Sequence, residues 1–256
     1  MTVGTVQVLS HDSAARIWRL PLLRDDGRMH VTVPRNVAHH SDAALRHRST
    51  LATTDVCVVD GVLVTSALRT VVDLARTHHK TQGLAAADAG SRAGLFTTQE
   101  LAACAAMTRG PGAAKVRWAT KHADPRAGSF LESEARARFL LAGVGPFELQ
   151  HRLDVDGEGH PFDLWVTGTK LVIEIDGSGH NHEDRRRFDA EDGVEAVLGG
   201  HEVLRFTAYH VRRRWPWMTG VVAARVRVHR DRATRERAAA RTRRSRARAA
   251  GHRGGA

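Results

Sequence analysis

The stretch Pro161–Gly177 constrains this chain more than any other. Two β-rich runs, Phe162–Val166 and Leu171–Asp176, flank Gly168-Thr169, a pattern that predicts an antiparallel hairpin. With Gly168-Thr169 as a two-residue turn, Thr167 faces Lys170 and Asp163 stands opposite Glu174. Directly opposed Cβ atoms on one sheet face are about 4.5–5.5 Å apart. Period-two alternation puts Asp176 on that face too and turns Leu171, Ile173 and Ile175 toward a core. Three carboxylates then converge on one patch, whereas an odd-length loop would put Asp163 on the other face. Opposed like charges destabilise a hairpin, so the pattern calls for a compensating cation. Acidic oxygens with room for water and phosphate suit Mg²⁺ or Mn²⁺. The plainer alternative is a half-exposed hairpin with an acidic outer face and no metal.

Around this hairpin the chain can bury a substantial core, because 42% of its 256 residues are apolar. Its formal net charge of +11 is unevenly placed: residues 221–256 hold twelve arginines against two acids, Asp231 and Glu236, and the rest is nearly neutral. Cys57 and Cys104 are the only cysteines, which excludes a disulfide scaffold and suits a reducing compartment. The first residues lack the basic and apolar regions of a secretory signal. No apolar run approaches the roughly 18 residues of a membrane span. A soluble cytoplasmic protein is expected.

In the first half, Ser10 precedes a short amphipathic helix carrying Ala14, Ala15 and Ile17, and Met29–Val33 reads as a strand. Residues 56–65 are two β-rich runs joined by Asp60-Gly61, the sequence preference of a type I′ hairpin. Thr65 or Ser66 caps a helix burying Leu68, Val71, Val72 and Ala75. Further helices are expected near 81–94, 97–108 and 112–122, the second opening on a Thr97/Glu100 capping box. The polar stretch around Asp124-Pro125 marks a domain boundary, giving an α/β region over 1–122.

A second domain is expected over 129–220. Its order is a helix at 129–142, strands near 147–155, 160–166 and 170–176, a helix near 183–198, a strand at 202–207 and a helix at 215–228. That order predicts a mixed sheet covered by helices. Residues 221–256 are read as the end of the last helix and an Arg-rich disordered tail, a sequence-independent binder of polyanions that helicalises at most on an anionic partner.

Residues 129–220 resemble a bacterial family of uncharacterised proteins related to very-short-patch-repair endonucleases, within the PD-(D/E)XK nuclease superfamily. The carrying residues are Ser129-Phe-Leu-Glu132-Ser-Glu-Ala-Arg136, Gln150, Phe162-Asp163, Val172-Ile-Glu174-Ile-Asp176-Gly177, His180, Asp189 and Val203-Leu-Arg205-Phe-Thr. The resemblance implies a restriction-endonuclease-like fold in which Asp163 and Glu174 hold a divalent metal, Mg²⁺ or Mn²⁺, with Glu132 assisting. Asp176 stands where many members carry a lysine. Glu132 also fits a capping box with Ser129. His180 is read as a proton relay or as an exposed loop histidine, and Asp189 as a site residue or a solvated helix acid. Asp192 stands where relatives usually carry an arginine. Arg205 and the run Arg212-Arg213-Arg214 are candidate phosphate contacts, and Trp215 and Trp217 are either stacking platforms or helix packing.

Residues 10–122 resemble AbiEi-type antitoxin-like actinobacterial proteins through Ser10-His-Asp-Ser-Ala14-Ala, Val31-Thr-Val-Pro34, the His47–Thr50 strip and Val64–Leu74. Such relatives usually begin with a DNA-binding winged helix. None is read before Ser10, so a short form or a late start is expected. The leading expectation is a metal-dependent endonuclease acting on DNA. The alternative is a catalytically inactive, nuclease-like protein of a toxin–antitoxin or phage-defence system that binds nucleic acid or a partner protein.

Overall fold

The computed structural model describes residues 7–35, 44–153, 161–177 and 200–251. It is a mixed α/β structure whose chain divides into two compact units between Ala137 and Arg138.

In the first unit, β1 (Val8–Leu9) leads into helix α1 (His11–Ile17), followed by β2 (Met29–Val33), β3 (Ala44–Arg48) and the hairpin β4 (Val56–Val59) and β5 (Val62–Thr65). Among the described residues these strands form a sheet of order β3-β2-β1-β5-β4. β1 runs antiparallel to β2 and parallel to β5, and β2 runs parallel to β3. Asp60 and Gly61 both adopt positive φ, 49° and 78°, as a type I′ turn requires.

Helices α2 (Ala67–Thr77), α3 (Lys80–Arg92), α4 (Thr98–Met107) and α5 (Ala113–His122) then build the main core. The Ser66 hydroxyl caps α2 by accepting the Arg69 N–H, and Thr97 and Glu100 form the expected capping box. Val71, Leu74 and Ala75 of α2 pack with Ala86 and Ala87 of α3, Leu101 of α4 and Val116 of α5. α2 and α3 approach so closely that a Cβ on Gly83 would lie 2.9 Å from the Ala75 backbone.

Helix α6 (Phe130–Leu141) begins in the first unit, held there by a buried pair. The Arg136 guanidinium sits 2.7 Å from the Asp88 carboxylate, with side chains 5% and 0% exposed. Asp88 also accepts from Ser133 Oγ and the Asp124 N–H, and Arg136 donates to the His122 carbonyl. The first unit therefore runs past residue 122, where the sequence suggests that the region ends. A capping box at the start of α6 is visible in sequence; a partner on α3 is not.

The second unit holds β6 (Phe147–His151), β7 (Phe162–Val166), β8 (Leu171–Asp176) and β9 (Glu202–Thr207) in that spatial order among the described residues. The first two pairings are antiparallel and β8–β9 is parallel, so this sheet is mixed. Leu164 pairs with Ile173 and Trp165 with Val172, the register expected from sequence. The turn itself sits one residue earlier: Thr169 N–H donates to the Val166 carbonyl at 3.1 Å, and Gly168 takes φ 77°. The Thr169 hydroxyl closes it, donating to Val166 O and accepting from the Leu171 N–H. The helix expected near 183–198 lies outside the described residues, as do His180, His182, Asp189, Asp192 and Gly193.

Helix α7 (Ala208–Arg213) leads into α8 (Trp215–Gly251), one continuous helix. The sequence suggests an Arg-rich disordered tail here, and the structure describes helix as far as Gly251. Met218, Val222 and Val226 bury its first turns. Beyond them, alanine and arginine stand at the top of the helix-propensity ranking, so composition that reads as disorder also favours helix. A clamp fixes the buried end: Arg225 reaches both Glu202 oxygens at 2.6 Å, and His229 Nε2 lies 2.9 Å from Glu202 Oε2. Among the described residues, no helix is long and apolar enough to cross a membrane.

Candidate functional site

The carboxylate patch comes from the β7–β8 register. Continuing it one residue past Leu164–Ile173 brings Asp163 opposite Glu174. Here the ladder opens, and Asp163 fills the gap: its Oδ2 accepts the Ile175 N–H at 2.8 Å. Gln150 Nε2 lies 3.5 Å from Asp163 Oδ1. Gln150 itself has φ 52°, a left-handed conformation uncommon for a residue with a Cβ. Glu174 pairs with Arg205 across β8–β9, Arg205 Nε lying 2.7 Å from Glu174 Oε2. Asp176 is exposed at the end of β8. The patch thus has a compensating cation from the protein, and Arg205 is placed as a partner of Glu174.

Glu132 belongs to the other compact unit. Its own N–H donates to Ser129 Oγ as the capping box expects, while its Oε2 accepts the Gly128 N–H at 2.8 Å, one residue before the N–H that the box implies.

Arg212, Arg213 and Arg214 are exposed at the α7–α8 junction. Trp215 and Trp217 are 42% and 47% exposed, with Arg138 and Arg214 guanidinium groups 5.4 Å from their respective ring centroids. Tyr209 is 58% exposed beside them in sequence. Such a surface offers both cations for phosphate and aromatic faces for bases. Farther along α8, Arg230, Arg232, Arg235, Arg237, Arg241, Arg243 and Arg244 are all exposed.

A further constellation lies wholly in the first unit, where sequence reasoning assigns no function. His11, Asp12, Asp26, His30, His47 and His78 line an open cavity of about 470 Å³. α1 contributes Asp12, which is buried, and His78 from the end of α2 places Nε2 2.7 Å from Asp12 Oδ1. β2 contributes His30, whose Nδ1 lies 3.3 Å from His47 Nε2 and whose Nε2 lies 3.2 Å from each Asp26 oxygen. His11 stacks on His47 with ring centroids 3.4 Å apart. Burial, then the neighbouring imidazoles His47 and His30, pushes the His11 pKa down to about 2; burial and His30 push His47 down to about 4. Both rings are therefore neutral at physiological pH. His11 opens α1 with φ 49°, a second strained non-glycine residue at a polar site.

The histidines come from elements far apart in the chain, so no local spacing announces them. Even His30 gives no local signal, because in Met29-His30-Val31-Thr32-Val33 it holds an ordinary polar position of the alternation.

Residues 12–120 match the AbiEi antitoxin C-terminal domain family. The match lies within the first unit and takes in most of the helical core and every residue named above as lining the histidine cavity except His11. No curated protein and no solved structure matches the chain.

Proposed function

We propose that this chain is a non-catalytic binding protein of a toxin–antitoxin or phage-defence system. The observation that carries this reading is the similarity of residues 12–120 to an antitoxin domain. On this reading the first unit engages a protein partner, the toxin. The exposed arginines of α8, with Arg212, Arg213 and Arg214, hold nucleic acid through phosphate contacts that do not read sequence. The second unit serves as a nuclease-like scaffold, its Glu174 neutralised by Arg205 and its Asp163 engaged by the Ile175 N–H. The test is co-expression with each flanking gene of the native locus. A flanking product that arrests growth alone, and no longer does so beside the full chain, supports the reading; arrest unaffected by the full chain in every case overturns it.

A second reading rests on the β7–β8 register Leu164–Ile173, which, extended by one residue, sets Asp163 opposite Glu174. In it a restriction-endonuclease-like second unit hydrolyses DNA phosphodiesters. Asp163 and Glu174 would hold Mg²⁺ or Mn²⁺, with Asp176 and His180 in support. The donor chemistry fits a hard cation, but the metal must take Glu174 from Arg205. When bound, it would lower the pKa of an attacking water.

A further inference from the structure

The histidine cavity carries an inference independent of the antitoxin reading. Three side chains from the start of the chain converge there: Asp12 from the first turn of α1, Asp26 from the following loop, and His30 from β2. One ligand atom from each lies within 4.8 Å of the others, the only such group of three or more His, Cys, Asp or Glu among the described residues. Asp12 and His30 are buried, while Asp26 is exposed at the rim.

Each of the three is oriented from behind. His78 Nε2 sits 2.7 Å from Asp12 Oδ1, and His47 Nε2 sits 3.3 Å from His30 Nδ1. Asp26 Oδ1 accepts the Arg28 N–H at 2.9 Å. With Nδ1 of His30 engaged by His47, its Nε2 is the atom turned toward the carboxylates, 3.2 Å from Asp26. Ligands whose outer atoms are fixed by a second layer of hydrogen bonds are the usual construction of protein metal sites.

From this geometry we propose that Asp12, Asp26 and His30 bind a first-row divalent transition-metal ion, with open coordination positions facing the cavity. One imidazole with two carboxylates and no thiolate suits Zn²⁺ or Mn²⁺; an imidazole ligand disfavours Ca²⁺ and Mg²⁺, which take oxygen ligands. Three protein ligands leave room for water or an incoming ligand group, and the cavity of about 470 Å³ provides the space.

The test uses the full chain, stripped by a chelator and titrated with Zn²⁺ and with Mn²⁺ by calorimetry, and with Co²⁺ as a spectroscopic probe. The expected result is one ion per chain at this site, with a Co²⁺ visible spectrum that signals nitrogen and oxygen ligation. Asp26→Asn, at the exposed rim, should weaken binding by at least the roughly 10–100-fold that losing an outer-layer partner costs. His78→Gln should fall within that range, and Glu236→Gln should leave affinity and spectrum unchanged. Asp26→Asn keeps the test decisive if a His30→Gln chain fails to fold. Absence of binding overturns the proposal. So does an Asp26→Asn chain with wild-type affinity and spectrum, which would place the ion on other histidines of the surface. Binding lost in Glu174→Gln but kept in Asp26→Asn also overturns it, and points to the β7–β8 carboxylates instead.

Discussion

Arg205 and Glu174 face each other across the parallel β8–β9 pair, the guanidinium Nε 2.7 Å from the carboxylate Oε2. Sequence alone requires a positive charge beside the opposed acids of β7 and β8, and this arginine supplies one. Replacing it should therefore change what the patch needs. Arg205→Leu is expected to lower stability by about 1–3 kcal/mol, less than a fully buried pair because Arg205 keeps a third of its side chain in solvent. It should also make thermal unfolding respond to Mg²⁺. Wild-type protein should show no such response; a melting temperature that rises with Mg²⁺ in wild type would mean the metal already competes successfully for Glu174.

Breaking the Asp88–Arg136 pair should be more damaging. Both side chains are almost completely buried, so Arg136→Met leaves a desolvated carboxylate without its cation, at a cost of about 3–5 kcal/mol. Burial already raises the Asp88 pKa. Denaturant unfolding of Arg136→Met, Asp88→Asn and the double variant should show the double variant losing less stability than the two singles together, as expected for coupled residues.

The clamp on α8 predicts a pH dependence. Hydrogen bonds from Arg225, then from His229, outweigh burial and lower the Glu202 pKa from its ordinary value of 4.5. A lowered carboxylate pKa stabilises the folded state fully above 4.5 and loses that contribution as pH falls through the lower folded value. Acid titration followed by circular dichroism should show part of the α8 helicity melting in that window. Glu202→Gln should be less stable at neutral pH and should lack that component of the acid transition.

Nucleic-acid affinity should be strongly salt-dependent. Arg237, Arg241 and Arg244 recur at helical spacing on one exposed face of α8. Replacing all three with glutamine should reduce the slope of log affinity against log salt by about 0.9 for each duplex phosphate no longer neutralised. Affinity should fall equally for unrelated duplex sequences, because phosphate contacts carry no sequence information. Fluorescence anisotropy over a salt series measures both.

Much of the fold is legible where local chemistry decides it. Asp60-Gly61, the Thr97/Glu100 box, the strands from Phe147 to Asp176 and strand Glu202–Thr207 all follow from turn preference, capping or period-two alternation. β1 and β3 are not legible: one is two residues long and the other is the polar Ala-Leu-Arg-His-Arg, and their pairings with β2 and β5 are not local. The helical tail escapes sequence reasoning because Arg/Ala composition satisfies the signature of disorder and the propensity for helix alike. The Asp163–Glu174 opposition is visible because a hairpin register is local. The histidine cavity is not, since Asp12 and His78 meet from 66 residues apart.

On the proposed function, the chain binds nucleic acid without cutting it. The most direct measurement incubates the full chain with supercoiled plasmid in Mg²⁺, Mn²⁺ or chelator, and resolves each mixture on a gel before and after protein removal. The expected result is plasmid that is retarded in every lane with protein and returns intact and supercoiled once the protein is stripped. Nicked or linear plasmid in the metal lanes, absent with chelator and absent for Asp163→Asn, would contradict it and make the β7–β8 carboxylates a catalytic centre.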